Sequence, residues 1–370
     1  MSVPLFDLAR VLEPLRPQLH AALDRCLTHG VFVLGPEVLE FEKQFGAFTG
    51  SQHVIGVSSG TDALLLTFMA LDARGLQPGD EVLCTPFTFI ATATSILRAG
   101  LRPVFVDLAP GKFYPDVEQF AAAWTPMTRA ILNVHLFGEP QPLDEIRALC
   151  QQKNALLIED CAQAHGAVQP DGQSVGKMGL AGAFSFFPAK NLGTLGDGGA
   201  VVTDDADLAQ RIREKRQHGG AIRYQFNHLG GNCRLDALHA AFLQVLLPEL
   251  KGWVQKRRAN AVAYVAELQR IGADRLTLPP LTPGHAWNQF VVKTPQRDAL
   301  KRHLDARGIG NAVYYPTALH QLGALATAQP PAHLPETERA CQEVLALPIY
   351  PGLREEERAQ VVEAIHGFFD

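Results

Sequence analysis

The sequence predicts an α/β protein in which a large domain, built on a mostly parallel seven-stranded sheet, is followed by a smaller α+β domain. Three observations carry that expectation. Short apolar runs rich in β-branched residues recur along the chain, each ending in turn chemistry. The runs are continuously apolar rather than alternating, as strands covered on both faces require. Between them lie amphipathic stretches of crossover length, such as "DALLLTFMALDARG" and "LDEIRALCQQKN".

In chain order the seven runs are "HVIGVS" (53–58), "EVLCTP" (81–86), "RPVFVDL" (102–108), "RAILNVHL" (129–136), "ALLIEDC" (155–161), "GAFSFF" (182–187) and "GAVVTD" (199–204). From residue 235 the pattern turns helical in "LDALHAAFLQVLLPELKGWVQKRRANAVAYVAELQRI". Pro248 should kink that helix, because proline lacks an N–H and its ring meets the preceding turn. Beyond "TLPPLTPGH" (277–285), the strand "NQFVVKT" and the helix "RDALKRHLDARGI" make up the second domain. The expected boundary is near residue 245, giving a large domain over 1–245 and a small one over 246–370.

Composition narrows the function. With 370 residues and 47% hydrophobic content the chain can bury a large core. Its formal charge of −5 comes from 33 basic and 38 acidic residues without a long block of either sign, which disfavours a nucleic-acid arm and favours small-molecule work. The cysteines Cys26, Cys84, Cys150, Cys161, Cys233 and Cys341 show no CxxC and no metal-ligand spacing, so no metal is expected and a reducing compartment is. The opening "MSVPLFDLARVLEPLRP" has charges and prolines where a signal peptide needs its apolar stretch, and no run has membrane-spanning length. The expectation is a soluble, cytoplasmic protein with no membrane partner.

In open α/β sheets ligands bind beyond the carboxyl ends of the strands, so the residues after each run matter most. After the first run, "SSGTDALLLTF" feeds a helix whose free first-turn amides can take a phosphate, with Gly60 allowing close approach and Thr61 adding a hydroxyl; an ordinary N-cap is the alternative. After the second, "PFTFIATA" brings Phe87 and Phe89, either core or platform. After the fifth, Glu159 and Asp160 point to opposite faces, so only one lines a given pocket. Lys190 follows "GAFSFFPA". A lone lysine is ordinarily a solvated surface residue, but apolar surroundings lower an ammonium's pKa and free the lone pair that condenses with an aldehyde. Phosphate cradle, ring platform, carboxylate and desolvated amine are together what pyridoxal phosphate asks of a protein.

The blocks "SGTDAL", "PFTFIATA", "EDCAQAHGA", "FSFFPAKNLGTLGDGGAVVTDD" and "GGNCRLDALHAA", with "GVFVLGPEVLEFEKQF" and "NAVYYPTALHQ", resemble the successive motifs of the DegT/DnrJ/EryC1/StrS family of pyridoxal-phosphate nucleotide-sugar aminotransferases. The resemblance spans nearly the whole chain. It implies the aspartate-aminotransferase fold (fold type I), a homodimer with shared active sites, L-glutamate as donor and a nucleotide-linked keto sugar as acceptor. Lys190 would form the Schiff base and shuttle the proton, and Asp160 would pair with the pyridine nitrogen. Phe89 would stack on the ring and Gln163 would bond its hydroxyl side. Gly60, Thr61 and Ser185 would hold the phosphate, completed by Asn232 of the neighbouring subunit. Arg234, as carboxylate holder or structural ion pair, and Tyr315 and His320 of the "NAVYYPTALHQ" block are the substrate candidates.

Departures are few: Cys161 stands where alanine is usual and His239 where glutamine is commoner, and neither is expected to touch the chemistry. Relatives that became dehydratases replace the lysine, so its retention favours transamination. The wording "KNLGTLGDGG" is closer to relatives acting on 3-keto sugars than on 4-keto sugars, in an O-antigen, capsule or antibiotic-sugar pathway. A nicotinamide oxidoreductase would need GxGxxG directly after a first strand, and "GDGG" (196–199) lacks that spacing. A non-catalytic regulator on the same fold is the other alternative.

Overall fold

The computed structural model describes residues 2–222, 224–325 and 333–370. All seven anticipated runs form strands: β1 His53–Val57, β2 Glu81–Cys84, β3 Arg102–Phe105, β4 Thr128–Val134, β5 Leu156–Asp160, β6 Ala181–Ser185 and β7 Gly199–Thr203. They make one sheet in the order β1-β7-β6-β5-β4-β2-β3. Every pairing is parallel except those of β7, which runs antiparallel to both β1 and β6.

Alternation along the strands explains the continuous apolar runs. On one face Ile55, Ala130, Leu132, Ile158, Ala183 and Val201 pack with Leu64 and Phe68 of the helix Gly60–Ala70 and Ile96 of the helix Ala91–Arg98. On the other face Val54, Phe184, Ala200 and Val202 pack with Phe41 and Phe45 of the helix Pro36–Thr49, while Ile131 and Leu157 join Ile146 and Leu149. Helices therefore cover both sides, and each strand residue is apolar because each faces a core.

Register sets what stands at the strand ends. Val57 lies opposite Gly199, Gly199 opposite Ser185, and Asp160 opposite Ala183. The exits of β1 and β6 and the start of β7 thus lie side by side, with the end of β5 one strand away.

Among the described residues β1 has a sheet neighbour only at β7. On its other side Gly56 donates its N–H to Glu42 Oε1 at 2.8 Å, and its carbonyl accepts from Arg216 Nη1 at 2.7 Å. The carboxylate and guanidinium meet at 2.7 Å, and both residues are buried. This clasp also aligns the segment after the large loop. The Arg216 carbonyl accepts from Cys233 N at 3.1 Å, Gln217 bridges Asn232, and Arg234 bridges Val57.

The helix expected to kink at Pro248 is broken there into Ala237–Leu246 and Leu250–Leu268, joined by the 3₁₀ turn Leu247–Glu249. Beyond it, β8 Phe290–Lys293 and the helix Arg297–Asp305 fall on the anticipated segments. β8 pairs antiparallel with β9 Val344–Leu347, and the helix Glu355–Phe369 packs on the same core, which includes Tyr264, Phe290, Leu300 and Ile365. Val3 belongs to that core and bridges Ile309, so the first residues of the chain pack with its last elements. No helix among the described residues is long and apolar enough to cross a membrane. All six cysteines are free and buried.

Candidate active site

The turn after β1 is built for an anion. Ser59 is extended, and its hydroxyl accepts from Asp62 N at 3.0 Å, which starts the helix at Gly60. The amides of Gly60 and Thr61 are left without acceptors inside the helix, at its positive end. A Cβ on Gly60 would stand 2.6 Å from Ser185 Cβ and 3.1 Å from Ser185 Oγ, so only glycine lets the β6 exit lie against this turn.

Of the two adjacent carboxylates, the chain saturates one. Glu159 accepts from Gly176 N at 2.8 Å, Gly179 N at 2.7 Å and His135 Nε2 at 2.9 Å, fully buried beneath the sheet. His135 Nδ1 accepts from Gln141 N at 3.1 Å, so the proton sits on Nε2 and points at Glu159. His135 and Glu159 are therefore a hydrogen-bonded brace, with Cys161 beside them and both histidine nitrogens already engaged. Asp160 faces the opposite way. It accepts from Thr92 Oγ1 at 3.0 Å and from Ala162 N at 3.1 Å, both neutral donors. Burial raises its pKa against the pull of those bonds and of Lys190.

Lys190 sits in the turn between β6 and β7, partly buried, its amide bonded to the Phe187 carbonyl at 2.9 Å. Burial lowers its ammonium to about 8, against the attraction of Asp160. Desolvation outweighs mutual attraction for both partners, so the acid and the amine are both pushed toward neutrality in the absence of a third group. A cationic ring held here would supply the charge that Asp160 lacks, and burial brings the Lys190 amine closer to its uncharged form. Because the free amine is the form that gains below the pKa by about tenfold per pH unit, uptake of pyridoxal phosphate by the apoprotein should accelerate steeply from pH 6 and level off above about 8. Stopped-flow absorbance reads this directly, and a rate independent of pH over that span contradicts it.

The remaining candidates fall into two groups. Phe87 is fully buried among Phe113, Phe137 and Tyr315, whereas Phe89 is 57% exposed beside Tyr315 at 6.5 Å, which leaves Phe89 as the available platform. Gln163 accepts from Phe137 N at 2.7 Å and donates to the Tyr315 hydroxyl at 3.2 Å, tying the loop beyond β5 to the "NAVYYPTALHQ" segment. His320 turns its ring toward Glu338 at 3.3 Å, with Nδ1 buried and unpartnered. Thr61 is half-buried at the helix start. Asn232 is exposed, and Arg234 is half-buried next to the end of β1, where Ser58 N bonds the Cys233 carbonyl at 3.1 Å.

Sequence reasoning passed over three neighbours of the candidate residues. Thr92 orients Asp160 across 68 residues, Arg216 holds the strip that carries Asn232 and Arg234, and His239 lies against the glycine loop after Lys190. Position 239, expected to stay clear of the chemistry, packs against the glycine loop: a Cβ on Gly196 would come within 2.6 Å of His239 Nε2. Only Ser or Thr near a strand-end acid offers any local signal for such partners; the other contacts are set by the fold.

These residues fit the cofactor. A glycine-only turn at a helix start, a buried acid bonded only to neutral donors, an exposed ring and a desolvated amine follow strand ends of one sheet, as the phosphate, pyridine nitrogen, ring face and aldehyde of pyridoxal 5′-phosphate would each require, and the fold is that of a fold-type-I aminotransferase that works with this cofactor. The chain belongs to the DegT/DnrJ/EryC1/StrS aminotransferase family, whose profile matches residues 15–366. It is 42% identical over 366 residues to a UDP-N-acetyl-3-dehydro-α-D-glucosamine 3-aminotransferase of Acidithiobacillus ferrooxidans, covering 98% of this chain and 97% of the relative. It is 41% identical over 372 residues to a Geobacillus stearothermophilus protein named pleiotropic regulatory protein, covering 100% and 99%. Among solved structures, Streptomyces venezuelae DesV in complex with a ketimine intermediate superposes with a TM-score of 0.95 at 40% identity, covering 100% of this chain and 99% of that one. NtdA of Bacillus subtilis, solved with bound cofactor PMP, superposes at 0.92 with 30% identity, covering 100% and 85%.

Proposed function

We propose that this aminotransferase moves an amino group from L-glutamate to the 3-keto carbon of a nucleotide-linked sugar, in the cytoplasm and as a homodimer with shared active sites. The observation that carries the reading is Lys190: one amine, desolvated to a pKa of about 8 beside a buried acid, available to both halves of the reaction. When bound, pyridoxal phosphate supplies an aldehyde that condenses with amines and a ring that holds the electron pair left by a departing proton. The chain does the rest. Lys190 Nζ removes the α-proton of the donor in one half-reaction and returns a proton to the sugar carbon in the other. Asp160 keeps the proton on the ring nitrogen. Phe89 and Gln163 fix the ring's plane and its hydroxyl side, and Gly60, Thr61 and Ser185 anchor the phosphate. Asn232, exposed on its strip, reaches the phosphate site of the adjacent protomer. Arg234 takes a substrate carboxylate through its planar fork, since among the described residues no carboxylate pairs with it. Tyr315 and His320 border the sugar.

The likeness to an enzyme named for a 3-dehydro sugar supports attack at C3. The test is a panel of nucleotide-linked 3-keto and 4-keto sugars with glutamate, the aminated carbon being located by NMR. Amination at C3 with parallel double-reciprocal lines is expected, because one lysine serves both halves. Product aminated only at C4 overturns the regiochemistry and leaves the class intact. A second reading, a regulator, is favoured by the name of the Geobacillus relative; it is sustained only if no sugar of the panel is aminated.

A further inference from the structure

The loop after Lys190 is bonded in a chain of short steps. Thr194 N reaches the Phe186 carbonyl at 2.8 Å, and Asn191 Nδ2 reaches the Ala286 carbonyl at 2.7 Å. A Cβ on Gly193 would lie 2.5 Å from the Pro188 oxygen and 2.7 Å from that of Phe187, so the loop folds directly over the turn that carries the lysine. Its far end rests on the helix Ala237–Leu246. There Thr194 Oγ1 donates to the His239 carbonyl at 3.2 Å, and the His239 ring occupies the space a side chain at 196 would fill, with Nε2 at 2.6 Å and Cε1 at 2.8 Å from that ideal Cβ. Gly196 itself lies outside the left-handed region. A side chain at 196 would meet the histidine ring and not its own backbone, and would have to displace that ring. The same helix begins three residues after Arg234, whose strip is held against the end of β1.

We infer that His239 is a positioning residue for Lys190: its imidazole seats the glycine loop on the helix that also carries the Asn232–Arg234 strip, so that amine and substrate anchor are referenced to one rigid element. The inference rests on the assignment of Lys190 as the reacting amine. A displacement of about 1 Å in a reacting group can cost about 10²-fold in rate, so the seat matters even though His239 touches neither cofactor nor substrate.

The test is a double-mutant cycle on Gly196→Ala and His239→Ala, read by two signals. One is the rate at which apoprotein plus pyridoxal phosphate gains the borohydride-sensitive absorbance of a lysine adduct; the other is the split between kcat and KM for glutamate. Gly196→Ala alone should lower adduct formation and kcat by about 10-fold to 10²-fold, with KM changed less. His239→Ala, which adds no bulk, should lower them about threefold. In the double variant the new methyl enters the space vacated by the ring, and the loss should return to that of His239→Ala, because contacting residues couple. Losses that multiply, or a Gly196→Ala protein equal to wild type, overturn the inference. Failure of the wild type to form any adduct would instead overturn the assignment of Lys190.

Discussion

Lys190→Arg should be as inactive as Lys190→Ala. Both are expected to reduce turnover by at least about 10³-fold, within or beyond the span that a positioned acid–base group contributes, and neither should form the borohydride-sensitive adduct. The pair separates two roles. Arginine keeps a cation beside Asp160 but stays protonated at any working pH, so it offers no free amine. The pKa of about 8 at Lys190 reflects burial acting on an ammonium, whereas a guanidinium starts from a far higher value. Folding should be little affected, since Lys190 forms no close ion pair: its attraction to Asp160 is already outweighed by desolvation on both sides. Circular dichroism matching wild type, with no absorbance above the protein band after cofactor addition, is the expected pattern. Turnover by Lys190→Arg at a tenth of wild type or more would show that charge, not an amine, is what the site needs.

The largest expected loss of stability lies at the Glu42–Arg216 clasp. Arg216→Met leaves the Glu42 carboxylate buried without its cation and the Gly56 carbonyl without its donor. Removing one partner of a buried ion pair costs about 3–5 kcal/mol, measured here by equilibrium denaturation. The double variant Glu42→Met with Arg216→Met should lose clearly less than the sum of the two single variants, because no charge is stranded. Additive losses would mean the two side chains act independently. Activity gives a second readout. The Arg216 carbonyl holds Cys233 N, so the single variants should weaken phosphate and substrate binding through Asn232 and Arg234 even under conditions where they remain folded.

Much of the sheet was legible because strands covered on both faces are apolar at every position. Val54 and Ile55 face different cores, as do Leu157 and Ile158, and each pair reads as one uninterrupted run. The direction of β7 was not legible. Its run "GAVVTD" has the same composition as a parallel strand, and its reversal follows from pairing with β1, far earlier in the chain, in the register His53 to Thr203. β9 was passed over because "VLALP" is short and directly follows a helix. At the candidate site, Asp160 and Lys190 drew attention because one ends a strand run and the other closely follows one, each with chemistry of its own. The structure separates Asp160 from Glu159 by who else bonds them: Glu159 has three donors from its own chain, Asp160 two. Thr92, Arg216 and His239 could not be read, since their importance resides wholly in contacts with residues distant in the chain.

The flank of β1 has a bearing on how copies of the molecule can meet. A terminal strand ordinarily presents an open backbone ladder on which a stranger's strand can add, the route to fibres and mispaired sheets. Here a carboxylate and a guanidinium impersonate the next strand at Gly56, and the Cys233–Arg234 backbone takes over at Val57 and Ser58. Self-association through this margin by strand addition is thereby blocked at its centre, and a continuous intermolecular sheet cannot nucleate there while the two charges stay in place.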